Sequence, residues 1–239
     1  MSIWDRNYVQ EKIAGANASA FTNRVYGWMT VGLLVTAAVT FGLIHTGLFA
    51  ALLPYWWLPV FGTLGVAIGI RSRLDRLSVK GLTGLFLLYA VLEGLFFGMI
   101  LPLYASAYGG QIIWVAFLTA GLLFGSSVLY GLFTRTDLSR FGGILRMGLM
   151  GLVGITLVYF LISLFAPLPG MILLISYVGL VLFVGLTAYQ AQAIRALSLQ
   201  ADNSAAAYKL SLMMALSMYL NVIMIFWYLL QIFASSRRR

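Results

Sequence analysis

The chain has 239 residues, of which 62% are hydrophobic and only 9% charged, and its formal net charge is +9. A soluble domain carries about 25% charged residues, so this composition excludes a water-facing globule. With no cysteine and the single histidine His45, the chain has no disulfide, no thiol nucleophile, no cysteine-ligated metal and no histidine cluster.

Lys and Arg sit at the edges of long apolar runs rather than in one patch. That placement points to anionic lipid headgroups and not to nucleic acid. The first 24 residues are mixed polar and the first apolar run is too long for a signal-peptide core, so no cleavable signal is expected.

In chain order, residues 1–24 are expected to form a cytoplasmic N-terminal segment, either a docking arm or a disordered tail. The first span is predicted at Val25–Ile44 and the second at Tyr55–Ile70, followed by the basic loop of Arg71, Arg73, Arg76 and Lys80. The third is Gly81–Leu103 and the fourth Gln111–Phe133. Ile144–Ala166, Met171–Tyr189 and Leu212–Ala234 complete seven spans over residues 25–234. A basic tail, 235–239, ends the chain.

A run of about 20 apolar residues crosses roughly 30 Å of hydrocarbon as a helix. Transmembrane strands need alternating segments of about 10 residues, and these runs are apolar on every face. The expected fold is an all-α membrane protein of seven transmembrane helices.

Twelve basic residues fall in the N-terminal segment and around the second, fourth and sixth loops, against three at the C-terminus. By the positive-inside rule the N-terminus is cytoplasmic and the C-terminus outside. A last segment that re-enters and returns to the cytoplasm is the alternative that Arg237, Arg238 and Arg239 leave open.

Of six acidic residues, only Glu93 lies deep within a span. It is 13 residues beyond Lys80, about 19 Å at helical rise and so near the midplane. A carboxylate there is expensive. It reads either as a cation or proton site or as a protonated acid bonded to a neighbouring helix.

The last span carries Ser211, Met214, Ser217, Asn221, Met224 and Tyr228 in steps of three or four, on one helix face. Such a stripe suits a last helix enclosed by the other six, as an ion path or as packing glue. By depth, Asn221 and Glu93 are expected to meet in the bundle interior. The sixth span has a weaker stripe of Ser176, Gly179, Phe183, Thr187 and Gln190.

Gly65 with Gly69, Gly94 with Gly98, Gly121 with Gly125, and the series Gly148, Gly151, Gly154 are expected to let helix backbones approach. Trp28, Trp56, Trp57, Trp114 and Trp227 read as interfacial anchors. Ser126 and Ser127 have no base beside them, no lysine is buried opposite a carboxylate, and no Walker-type glycine loop exists. No enzyme and no cofactor are expected.

The stretch Phe21-Thr22-Asn23-Arg24-Val25-Tyr26-Gly27-Trp28-Met29-Thr30-Val31-Gly32-Leu33 resembles the start of the first helix in the Bax inhibitor-1 family, in particular its bacterial members. The Arg71–Ser78 turn is similar to that family's basic second loop, and Gly94, Gly98 and Pro102 to its glycine-rich third helix. Leu186–Ile194 resembles the end of its sixth helix and Ala215–Ile223 its last.

The resemblance implies a pH-sensitive calcium leak across the membrane and a protective role under stress. It implies a proton shared by two aspartates, one on each of the last two helices, with an arginine of the second helix, Arg71 or Arg73 here, able to pair with them. This chain departs there: the aspartate positions hold Gln190 and Asn221. Neutral amides do not titrate near physiological pH.

Two functions are therefore carried. One is a passive cation leak in the bacterial inner membrane, with calcium the permeant ion, Gln190 and Asn221 a hydrogen-bonded gate, and Ser217, Glu93, Arg71 and Arg73 along the path. The other is a non-conducting regulator that binds a membrane-bound AAA protease or another inner-membrane complex, with the N-terminal segment as its arm.

Overall fold

The computed structural model describes residues 3–73, 76–165, 169–202 and 204–237. Among them there is no strand. Eight α-helices follow in order: α1 Ile3–His45, α2 Phe49–Leu52, α3 Trp57–Arg73, α4 Val79–Tyr108, α5 Gln111–Phe133, α6 Gly142–Ser163, α7 Pro169–Ser198 and α8 Ala205–Ser236. Six of them are long and apolar enough to cross a membrane alone. The short turn Phe49–Tyr55 and α3, bent by 63° at the break, reach span length only together, as a broken span or a re-entrant loop, which makes six crossings or up to seven. Pro54 and the positive φ of 70° at Gly47 mark where the chain turns before α3.

The predicted spans coincide with these helices, and the fourth matches end for end. The other helices differ from the predicted spans at their ends, among them α4, which runs on to Tyr108, and α8, which starts at Ala205. Helix α1 has 43 residues and begins at Ile3, so the described part of the polar segment before Val25 is helical and continuous with the first span. At about 1.5 Å per residue α1 is roughly 65 Å long, about twice the hydrocarbon thickness. Helix α7 runs nine residues past Tyr189 to Ser198, which makes Gln190, Gln192 and Arg195 helical. Helix α8 runs to Ser236, through the expected start of the basic tail. Ala166, the expected end of the fifth span, and Asp75, Arg238 and Arg239 lie outside the described residues.

The chain packs as two units. The first, Met1–Leu103 with Ala196–Tyr219, is organised by α1 and α4. Phe21, Val25, Met29, Thr36 and Leu43 are buried along one face of α1, at spacings that keep them on a single stripe. Gly94 of α4 receives Val39 and the Thr36 backbone carbonyl, and Gly98 receives Leu43; a Cβ at Gly94 would meet Val39 Cβ at 2.7 Å. Because the backbones are this close, Thr36 Oγ1 reaches the Ala90 carbonyl at 3.0 Å and Thr40 Oγ1 the Gly94 carbonyl at 3.0 Å. The first half of α8 joins this unit through Tyr219, whose hydroxyl lies 2.7 Å from Thr36 Oγ1 and whose ring meets Phe86 and Tyr89 edge-on.

In the second unit, Tyr104–Arg195 with Leu220–Arg239, α5, α6 and α7 pack with the second half of α8. Gly131 of α5 lies against the Ala188 backbone, Gly142 against the Tyr189 ring, Gly148 against Leu182, and Gly179 against the Tyr228 ring. Of the glycine series expected to mediate packing, Gly94, Gly98 and Gly148 do so. Gly65, Gly69, Gly121, Gly125, Gly151 and Gly154 have nothing within 4 Å of a Cβ position. Their spacing is right, but their faces are turned away from the neighbouring helices.

Arg237 donates from Nη1 to the Tyr108 carbonyl at 2.8 Å and from Nη2 to Gln111 at 3.3 Å. The end of α8 thus lies beside the end of α4. An even number of crossings must separate residues 108 and 237, as α5, α6, α7 and α8 supply. A last segment that returned to its own side would put Arg237 at the other face.

Candidate functional site

Half of the most apolar stretch of α8 is buried, against 6% for α6. No residue from 211 to 235 is exposed. Asn221 is only 3% exposed, as expected for a polar stripe that cannot face lipid cheaply.

On the second unit's side of that helix, Asn221 Nδ2 donates to Gln190 Oε1 of α7 at 3.0 Å. The two amides singled out in the sequence are in direct contact. An interhelical hydrogen bond in a membrane contributes about 0.6 kcal/mol on average and roughly 1.7 at most.

The residues around the pair are held by their own contacts. Thr187, fully buried one turn earlier on α7, bonds back to the Phe183 carbonyl. Gln192 accepts from the Leu138 N–H at 2.8 Å and donates to the Thr136 carbonyl at 2.9 Å. Arg195 donates to the Leu132 carbonyl at 2.6 Å, closing the C-terminal end of α5, where cations complement the helix dipole. These residues fix the C-terminal end of α7 to the α5–α6 connection. In that connection Asp137 accepts from Ser139, which holds its carboxyl below the usual aspartate range.

A second polar link joins α7 to α8. Ser176, fully buried, donates to Gln231 Oε1 at 2.9 Å. Gln231 was missed in the sequence reading, although it continues the stripe three residues beyond Tyr228. Between the two links the Tyr228 ring lies over Gly179, where a Cβ would stand 2.5 Å from it. The missing side chain at Gly179 is what admits the ring.

The other expected site residues are placed differently. Ser217 is half-buried one turn before Asn221 and is not brought into the amide pair. Glu93 is paired with Tyr89, whose hydroxyl donates to Oε1 at 3.1 Å. Tyr89 is one turn away on α4 and was not picked out by the sequence, where it reads as one more aromatic core residue. Arg71 and Arg73 are exposed in the last turn of α3, and among the described residues neither has a hydrogen-bond or ion-pair partner. Among the described residues no group of three or more His, Cys, Asp or Glu side chains is arranged to hold a metal ion.

Long apolar helices, an enclosed polar-striped last helix and polar links confined to helix seams define an all-α, multi-span membrane protein. The profile of the family described as inhibitor of apoptosis-promoting Bax1 matches residues 18–238. The chain belongs to the Bax inhibitor-1 family. It is 51% identical to an uncharacterized protein of Chlamydia muridarum (strain MoPn / Nigg), with both chains covered completely. It is 35% identical to the inner membrane protein YbhL of Escherichia coli (strain K12), over 93% of this chain and 94% of that one. An uncharacterized protein of Borreliella burgdorferi is 32% identical, over 96% and 97% of the two chains.

Proposed function

We propose that the chain is a passive cation leak of the bacterial inner membrane, with calcium as the permeant ion and a protective role under stress. The observation that carries this reading is the buried Asn221–Gln190 hydrogen bond at 3.0 Å. It joins the two helices on which the family resemblance places the gating pair. The bond is weak enough to open thermally, which suits a leak better than a tight valve.

The N-terminus is cytoplasmic in this reading, because twelve of the fifteen basic residues then face the cytoplasm. Membership of the family and the name of the E. coli relative support the inner membrane. Arg71 and Arg73 stand at the cytoplasmic mouth and Ser217 on the path. Glu93 is the path's one acidic group.

The test is calcium flux into liposomes containing the purified protein. Flux above empty liposomes is expected, and Glu93→Gln should lower it without loss of folded protein. Unchanged flux in that variant would remove Glu93 from the path.

Absence of flux at every pH would favour the second reading, a non-conducting regulator bound to a membrane AAA protease or another inner-membrane complex. The feature that favours it is the length of α1, whose 43 residues reach well beyond what a bilayer crossing needs and offer a helical arm for docking.

A further inference from the structure

We infer that Glu93, with Tyr89, forms an exchange site that holds either a proton or one monovalent cation. The inference rests on the reading of Glu93 as a residue of the cation path; it adds a monovalent cation to calcium among the ions that path carries and makes it the one held at Glu93.

Glu93 is the fifteenth of the 30 residues of α4, about 22 Å from either end of the helix. Only one of its oxygens is engaged. Tyr89, 8% exposed, donates to Oε1 at 3.1 Å. The other oxygen, Oε2, has no protein partner among the described residues. Nor is it sealed: the one fully buried side-chain polar atom without a partner there is the Tyr26 hydroxyl. A small species can therefore reach Oε2.

The groups that face this carboxyl carry no compensating charge. From α4 itself there is Tyr89. From α8 there is Tyr219, whose ring stands edge-on to Tyr89 with centroids 6.1 Å apart. On the neighbouring turns of α4, the Ala90 and Gly94 carbonyls accept from the uncharged Thr36 and Thr40 of α1. Among the described residues no Lys or Arg pairs with Glu93; the ion pair there is Arg140 with Asp137.

An unpaired carboxylate at this depth costs several kcal/mol. The site is electrically neutral only with one proton or one singly charged cation on it. A divalent ion would leave a net positive charge in a low-dielectric medium. Calcium also takes 6–8 oxygen ligands, several of them carboxylates, whereas this site has one carboxylate and one hydroxyl. The exchange conserves charge: the carboxylic acid releases its proton from Oε2 as the cation binds the carboxylate. Tyr89 donates to Oε1 in both states and stays neutral.

A hydrophobic carbodiimide, which reacts with protonated carboxyls in apolar surroundings, tests this on the full-length protein in liposomes, read by mass spectrometry of the peptide containing Glu93. Labelling should fall as pH rises. At fixed pH it should slow severalfold when sodium or potassium replaces choline at equal ionic strength. Calcium should protect less than either. Glu93→Gln should carry no adduct, and Tyr89→Phe should still be labelled but lose protection by the monovalent ions.

Labelling indifferent to pH and to both monovalent ions would make Glu93 a permanently protonated structural acid and overturn the inference. So would absence of any adduct in the intact protein, or protection by calcium at lower concentration than by sodium or potassium. Labelling requires no flux, so a protein that conducts nothing yet shows protected labelling fails the leak reading alone. One that conducts with unprotected labelling fails this inference alone.

Discussion

Replacing Gly131 by alanine should destabilise the folded protein by about 1–3 kcal/mol or more, the usual cost of forcing a methyl group into a filled space. The same change at Gly121 or Gly125 should not destabilise it. All three glycines lie on α5. At Gly131 the added Cβ would run into the Ala188 backbone, carbonyl and Cα included. A backbone cannot rotate aside as a side-chain end can, so α5 and α7 would have to separate.

At Gly121 and Gly125 there is nothing within 4 Å, and alanine gains up to about 1 kcal/mol of helix propensity over glycine. Thermal unfolding of the three variants in detergent, followed by loss of monodisperse protein, gives the comparison. The midpoint should drop for Gly131→Ala and stay or rise for the other two. Equal midpoints would mean that the α5–α7 contact is not as close as described. Because Ala188 is two residues from Gln190, flux in surviving Gly131→Ala protein should also rise as the amide pair is pulled apart.

The second large effect concerns pH. With Glu93 replaced by glutamine, ion flux should vary little between about pH 6 and 8, because both members of the Gln190–Asn221 pair are neutral amides without a proton to exchange. The double change Gln190→Asp with Asn221→Asp should make flux strongly pH-dependent. Two carboxyls at the 3.0 Å separation of the present amides share protons and lose them in two coupled steps. When both are ionised they repel and the α7–α8 clasp has no bond to hold it. When one proton is shared the clasp is closed.

The sign follows: flux in the double variant should be low at the acid end and rise toward the alkaline end. Measuring both proteins in a Glu93→Gln background removes the other intramembrane acid as a source of pH response. Steep pH gating of the Glu93→Gln protein with its amides intact would show that the pair is not where this chain senses protons. A flat profile in the double variant would show that the two positions do not act as a couple.

The sequence by itself determined the class of protein and the crossings. Apolar runs long enough to span hydrocarbon admit one regular structure when they are apolar all round, the helix, because every backbone polar group must be satisfied internally. It determined that the last helix is enclosed, since Ser217, Asn221 and Tyr228 on one face cannot all be left in lipid. It also brought Gln190 and Asn221 forward as a pair, through their place in family-like stretches of α7 and α8.

Which small residues make contacts was decided only by tertiary structure. Glycines four apart look alike on Gly94/Gly98 and Gly121/Gly125, but contact depends on how each helix is rotated about its axis. That rotation is set by packing across the whole helix and not by the local spacing. So Gly131 and Gly179, which are not part of any conspicuous series, receive a backbone and a tyrosine ring, while Gly121 and Gly125 receive nothing. Glu93 follows the same logic. Its depth was legible from the count of residues, but its partner was not. A tyrosine one turn away on the same helix engages one oxygen of the carboxyl locally, and depth alone cannot tell a neighbour along the helix from one across the bundle. The course of the last segment was likewise ambiguous while charge alone was counted. It was decided by one long-range contact, Arg237 on the carbonyl end of α4, because a hydrogen bond between two helix ends requires them to lie at the same face.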